Sequence, residues 1–419
     1  MIDTKAGKVI EKDISILFKD SEIISVDSSE KISSHEMFKN AEKIKLNGTI
    51  LPGLVDCHVH LIGFGDGTPG DVLVKTDDNL LAINGAQNAI RHLDSGVTTL
   101  RDLGAKNMTG YMIKEASNRG IIQTPDLIMS GRPITIVGGH LNWFGEVATG
   151  PTECIASVRR LLKDGSDMIK ITATGGSTGT SNVRVPSFNL DEMKAIVFEA
   201  HKFGVHTAAH CVNTEGIRNA VDAGVDTIIH GRFVNTDGEL EFDEKLADQM
   251  VEQGTFINPT LHQGRDRIWQ LWEKEKEVEL TDIEKTEIEI WKKHWDDSQK
   301  VWEKVLDKGI QLVAGSDASW QYYKLGGTSF QDEIHSHVSV GMSPMEAIQS
   351  GTIFSAMSCW VDNEVGSIEP GKIANIISVD GKPEKEIKDL RNVNSIIHRG
   401  RVLSLIHISE PTRQAEISY

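Results

Sequence analysis

Six side chains able to hold a metal or move a proton recur near the ends of short apolar runs. His58 and His60 lie two apart in "GLVDCHVHL", Lys170 in "DMIKITATGG", His210 in "VHTAAHC", His230 in "TIIHG" and Asp317 in "IQLVAGSDA". A two-residue spacing on a strand turns both histidines to the same side. Lys170 is the most unusual, because Met168, Ile169, Ile171 and Ala173 make its run apolar. An ammonium buried there without a partner is costly, and burial favours the neutral amine. Singly, each residue has an ordinary reading: a strand histidine satisfied in a core, or a lysine snorkelling from a strand end. Together, at the ends of separate strands, they form a constellation that chance does not readily produce.

The elements that must position them alternate along the chain. The five runs above are joined by "GVTTLRDLG", "PDLIMSGRPI" and "TFINPTL", so eight strand candidates lie between Leu51 and Trp360. Each is short, rich in Val, Ile, Thr and Ala, and followed by polar or glycine-bearing residues. Helical patterns separate them. In "NLDEMKAIVFEAHKFG", Met193, Ile196, Val197 and Ala200 form one apolar face; Asn189 or Asp191 can start the helix and Gly204 stops it. "SPMEAIQSG" opens with Ser343 as N-cap, Pro344 in the first turn and Glu346 closing a capping box. Eight βα units in series predict an α/β fold, a TIM-type (β/α)8 barrel over residues 51–360. In such a barrel the C-terminal strand ends build the active site.

The flanks differ. Residues 1–50 and 361–403 read as strands and turns without crossover helices. Chain ends often lie close together, so both flanks are expected to pair into one small β-sandwich domain. An insertion at 264–308, between the seventh and eighth strands, holds Trp269, Trp272, Trp291, Trp295 and Trp302. The last three, spaced by four and seven, fall on one helical face. That pattern reads as a helical pair with its own aromatic core, or as a lid or oligomer contact over the barrel mouth.

A net charge of −17 argues against nucleic acid or an anionic membrane as partner. No apolar run approaches the ~18 residues that span a bilayer. The four cysteines, Cys57, Cys154, Cys211 and Cys359, show no CxxC pair and fit a reducing compartment. Cytoplasm is the default expectation. The opening "MIDTKAGKVI" lies close to a strand, and an upstream strand or leader could be missing. The tail 404–419, "SLIHISEPTRQAEISY", continues no preceding pattern and is expected to be an assembly scar, with the natural chain diverging near Leu403.

"LPGLVDCHVHL", the strand lysine, the two later histidines and "AGSDAS" resemble the amidohydrolase superfamily of metal-dependent hydrolases. "GVTTLRDLG", "AHCVNTEGIRNAVDAGVDTIIHG" and "IEPGKIANIISVDG" are similar to its imidazolonepropionase-like branch, which includes Xaa-Pro dipeptidases and carboxypeptidases. The resemblance covers nearly the whole chain. It implies that Lys170 reacts with CO2 to give a carbamate bridging two divalent metal ions, with zinc as the metal expected. It further implies His58, His60 and Asp317 on one metal and His210 and His230 on the other. A depressed lysine pKa suits attack on CO2, and nitrogen and oxygen ligands with open positions suit catalytic zinc. The implied nucleophile is a metal-bound hydroxide, with Asp317 as the catalytic residue carrying its proton to the leaving amine. His140, in "GGHLNWFG", is implied to bind substrate. Arg232 follows "IIHG" and has the forked donors to pair an acidic group. The dipeptidase pattern does not reliably carry that arginine, nor the loop "GGHLN".

The expected activity is hydrolysis of an amide C–N bond in a dipeptide or N-acyl amino acid, a small-molecule or peptide substrate. A cyclic amide, imidazolone or carbamate-type substrate is the alternative within hydrolases. A metal-free barrel kept for binding or assembly is the alternative of another class, and a homo-oligomer is left open. The full ligand set argues against the inactive barrel, since a degenerate site sheds a histidine or the aspartate.

Overall fold

A computed structural model describes residues 1–11, 13–320 and 323–405. Seven of the eight anticipated runs are parallel strands. Leu54–Val59, Val97–Asp102 and Asp126–Met129 pair in sequence order as one sheet. Ile169–Ile171, Thr207–Asn213, Thr227–Val234 and Phe256–Asn258 pair in a second, which also takes the short strands Ile134–Thr135 and Glu146–Val147. These strands are buried along nearly their whole lengths, as parallel strands covered on both faces must be.

The eighth run, 310–318, departs from the expectation. It is no regular strand, and it touches its neighbours through isolated parallel bridges, Leu312 to Ile257 and Ala318 to Val59. Two local features break its regularity. Asp317 takes a left-handed φ of 54°. A Cβ at Gly315 would lie 2.6 Å from the His58 Cβ, so only glycine lets the run pass this close. Its backbone is still satisfied from both sides: Val313 N donates to Ile257 O (2.9 Å), Cys57 N to Ala314 O (3.2 Å) and Asp317 N to His58 O (2.7 Å). Between the third and fourth runs, Asp167 N donates to Met129 O at 2.8 Å. Each run is thus hydrogen-bonded to the next, and the eighth to the first.

Helices between the strands follow from their capping and periodicity. Leu190–Lys202 begins at Asn189 with a capping box to Glu192 and buries Met193, Ile196, Val197 and Ala200, the face its spacing predicts. Gly204, at φ 73°, terminates it. Ser343 and Glu346 close the capping box of Pro344–Ser350.

Both chain flanks are strand-rich. Thr49–Pro52 pairs antiparallel with Ile376–Val379, which continues through Val393–His398 to Arg401–Leu405. The hairpin Ile14–Lys19/Glu22–Ser28 packs Ile23, with Ile16 and Phe18, against Ile376 and Ile397. Of the tail flagged as anomalous, Ser404 and Leu405 belong to the last of these strands; 406–419 lie outside the described residues. The insertion forms two helices, Gln263–Glu275 and Asp282–Asp307. Trp272 and Trp291 join Ile268, Leu271, Leu280 and Ile288 in a small core of the insertion itself, whereas Trp302, with Val301 and Val305, docks into the main core. Among the described residues no helix is long and apolar enough to cross a membrane.

Candidate metal centre

The first strand carries His58 near its end, and His60 follows in the turn; both are almost fully buried. A hydrogen bond to a residue distant in sequence fixes each ring. The Asn258 Nδ2 donates to Val313 O (3.2 Å) and Gly315 O (3.0 Å), so its Oδ1 faces His58 Nδ1 at 2.9 Å and accepts a hydrogen bond from it. His60 Nδ1 lies 3.1 Å from Gly104 O, and a carbonyl can only accept. Both rings therefore carry their proton on Nδ1 and leave the Nε2 lone pair free. The two Nε2 atoms lie 3.4 Å apart and face Asp317 Oδ1 at 3.2 and 3.4 Å. That oxygen is buried and has no hydrogen-bond partner among the described residues.

Electrostatics sharpens the point. Burial, and after it the Lys170 charge, pushes His58 well below the usual histidine range and His60 down to about 3, so both rings are neutral. Three lone-pair atoms from His58, His60 and Asp317 thus converge within 4.8 Å in a dry interior. Without a cation between them such an arrangement is repulsive; with one it is a ligand set of the N,N,O kind used by zinc.

Lys170 is buried in the centre of the three-residue fourth strand. Burial lowers its pKa and raises that of Asp317, and each charge partly offsets the shift of the other. His210 and His230 form an adjacent pair, ring centroids 4.6 Å apart. His210 Nε2 donates to Gly175 O (3.0 Å), which leaves Nδ1 as its free nitrogen. His230 Nδ1 meets Thr260 Oγ1 at 2.8 Å. His230 (φ 68°), Thr260 (φ 49°) and Asp317 (φ 54°) are all left-handed. Such backbone costs about 1–3 kcal/mol per residue and gathers at sites where geometry matters more than stability.

The His140 ring lies 4.4 Å from that of His210, tilted by 41°, and its Nδ1 meets Thr178 Oγ1 at 3.0 Å. Gly176 makes room for it: a Cβ there would sit 2.7 Å from His140 Nε2. Arg232 makes no hydrogen bond or ion pair among the described residues; burial lowers its pKa and the Asp317 charge opposes that. All eight residues singled out in the sequence (His58, His60, His140, Lys170, His210, His230, Arg232 and Asp317) line one cavity of about 1090 Å³. A groove of about 1270 Å³ beside His206, Trp360 and Arg399 contains none of them.

Sequence reasoning missed the residues that orient this set. Asn258, Thr260 and Thr178 contact the histidines from other elements. Asp56 ties the first run to the eighth by accepting from His58 N (3.1 Å), Ser316 N (3.0 Å) and Ser316 Oγ (2.6 Å). A polar Asn258 inside the apolar "TFINPTL" was the one available signal. His294 and Gln263 of the insertion, with Trp143, Trp320 and Arg184, complete the cavity wall.

A family profile described as "Amidohydrolase family" matches residues 49–404. The structure is similar to that of a Xaa-Pro dipeptidase with bound methionine in the active site, at 30% identity and TM-score 0.77, covering 96% of this chain and 97% of that one. In sequence it is 24% identical to the ochratoxinase of Aspergillus niger over 388 residues, 83% of this chain and 74% of that protein. A prolidase complexed with N-methylphosphonate-L-proline shares the fold at 23% identity and TM-score 0.74, covering 94% of this chain and 95% of that one.

Proposed function

Because this chain belongs to the amidohydrolase family and is a hydrolase of carbon–nitrogen bonds, we propose that it cleaves the amide of a dipeptide or N-acyl amino acid in a two-metal site. In this reading the eight linked runs are a TIM-type (β/α)8 barrel over 51–360. The strands of 1–50 and 361–403 make up a small β-sandwich domain beside it. His58, His60 and Asp317 would hold one zinc ion and His210 and His230 the other, with a carboxylated Lys170 as ligand to both. Bound there, the ions would supply Lewis acidity, which lowers the pKa of a water and polarises the scissile carbonyl.

The remaining work falls to the chain's own groups. The Asp317 carboxylate, through the oxygen it would not give to the metal, can take a proton from the attacking water and return it to the leaving amine. His140, held by Thr178, can orient the carbonyl, and Arg232, unpaired among the described residues, can grip a carboxylate on the departing amino acid. A relative whose active site holds methionine favours an amino acid as product.

The observation that carries this reading is the convergence of two locked Nε2 lone pairs on an otherwise unpartnered, buried Asp317 oxygen. Metal content per chain, measured after production with zinc and bicarbonate, tests it together with release of amino acid from N-acyl substrates. About two metals and turnover are expected, both lost in Lys170→Ala. A Lys170→Ala protein with full activity refutes the bridging role.

A further inference from the structure

Behind the active-site cavity lies a smaller chamber of about 60 Å³, and Arg232 and His294 line both. Apart from those two, its walls are mainly apolar, with Leu261, Trp291, Trp295, Val301 and Trp302, and Thr260 and Ser298 add hydroxyls. The aromatic wall is braced: Trp291 stacks on Trp295 at 5.6 Å, and the Arg265 guanidinium lies 4.5 Å above the Trp295 ring. At roughly 10–15 Å³ for each water-sized occupant, the chamber admits about four to six non-hydrogen atoms, the size of an isobutyl group.

One of the side chains shared by chamber and cavity, Arg232, is cationic. Arg232 has no carboxylate paired to it, and Arg184 enters the same cavity with no ion pair among the described residues. His294, whose pKa burial and then the Arg232 charge lower, lines both spaces together with Arg232. Guanidinium groups unpaired among the described residues, in a chain of net charge −17, concentrate positive potential in this cavity. A carboxylate and an apolar group side by side are what Arg232 and this chamber match.

We infer that the site selects, in the amino acid it releases, an α-carboxylate held by Arg232 and a short branched apolar side chain lodged in the tryptophan-walled chamber. The inference rests on the amide-hydrolase reading above and names its substrate class: N-acyl or N-aminoacyl derivatives of leucine-sized residues. The insertion helices then determine specificity, because they supply the chamber wall.

The test uses the full chain loaded with zinc and bicarbonate. Values of kcat/KM are compared for N-acetyl-L-leucine, N-acetylglycine and N-acetyl-L-leucinamide, and calorimetry measures binding of free L-leucine and glycine. The leucine acid is expected to exceed the glycine acid by about tenfold or more and its own amide by about tenfold or more. Ser298→Leu, which fills the chamber, brings the leucine acid down to the glycine value. Arg232→Met brings the acid down to the amide value while metal content stays that of the parent. Leucine and glycine acids within twofold of each other, or an acid–amide gap that survives Arg232→Met, overturn the inference and leave hydrolysis standing. Tighter binding of leucine than glycine with no turnover of any acid does the reverse. Absence of both defeats both.

Discussion

Replacing Asn258 by leucine keeps the branched heavy-atom outline of a buried strand residue and removes three hydrogen bonds at once. The side chain accepts from His58 Nδ1 at 2.9 Å and donates to Val313 O and Gly315 O at 3.2 and 3.0 Å. Two buried carbonyls left unsatisfied cost about 1–3 kcal/mol each, so a stability loss of about 2–6 kcal/mol is expected. The functional effect is separate. Without its acceptor, the His58 Nδ1–H has no partner, the ring loses its orientation, and the Nε2 lone pair no longer faces Asp317. Loss of such an orienting partner lowers metal affinity about 10–100-fold. Zinc affinity is measured by competition with a chromophoric chelator and stability by denaturant titration of the metal-free chain. Asn258→Asp serves as the control, because it keeps an acceptor for His58 but loses both donors. Comparable destabilisation with a smaller affinity loss is expected for it. Equal zinc affinity in Asn258→Leu and parent would refute the argument that this amide sets the His58 tautomer.

Three further outcomes are expected. Gly176→Ala puts a Cβ 2.7 Å from His140 Nε2, which forces that ring to shift; kcat/KM should fall about tenfold or more while metal content is unchanged, and a parent-like kcat/KM would remove His140 from substrate positioning. Trp302→Ala empties a nearly fully buried position of the main core and should cost about 3–5 kcal/mol in denaturant titration; a loss below about 1 kcal/mol would mean that the insertion does not dock there. His335 is lowered to about 4, first by burial and then by Arg391, whose Nη2 lies 3.3 Å from its Nδ1. A depressed histidine pKa means that the unfolded chain binds the extra proton. Its stabilisation is therefore present above the ordinary value near 6.5 and is lost as pH falls toward 4. In His335→Gln the drop in stability between pH 7 and pH 4.5 should shrink by on the order of 1 kcal/mol, after discounting for partial exposure; an identical drop in both proteins would contradict this.

Much of the site was legible in the sequence because its residues sit at fixed places in locally coded elements. Alternation of apolar runs with 3.6-residue periodicity marked strands and helices, and it led to His58, His60, His210 and His230 at strand ends. The capping residues Asn189 and Ser343 were readable for the same reason, since a cap acts over three residues. The eighth run was readable only in part: its composition is that of a strand, but the close pass of Gly315 by His58 and the left-handed Asp317 are not local properties of its sequence. Lys170 stood out as a charge in an apolar run, which no propensity explains.

What tertiary structure alone decided are the partnerships. Asn258 lies 200 residues from the histidine it orients, and Gly104 offers His60 only a backbone carbonyl, which no side-chain type announces. Whether Arg232 finds a carboxylate in the protein or is left for a substrate depends on what the remaining elements bring beside it. The tryptophan spacing predicted a helical face, yet only packing divided Trp291 and Trp302 between the core of the insertion and the main core and left a chamber between them. Periodicity and capping act over a few residues and are written in the sequence. The position of a lone pair or an unpaired charge is set by the packing of elements distant along the chain, and only the folded chain contains it.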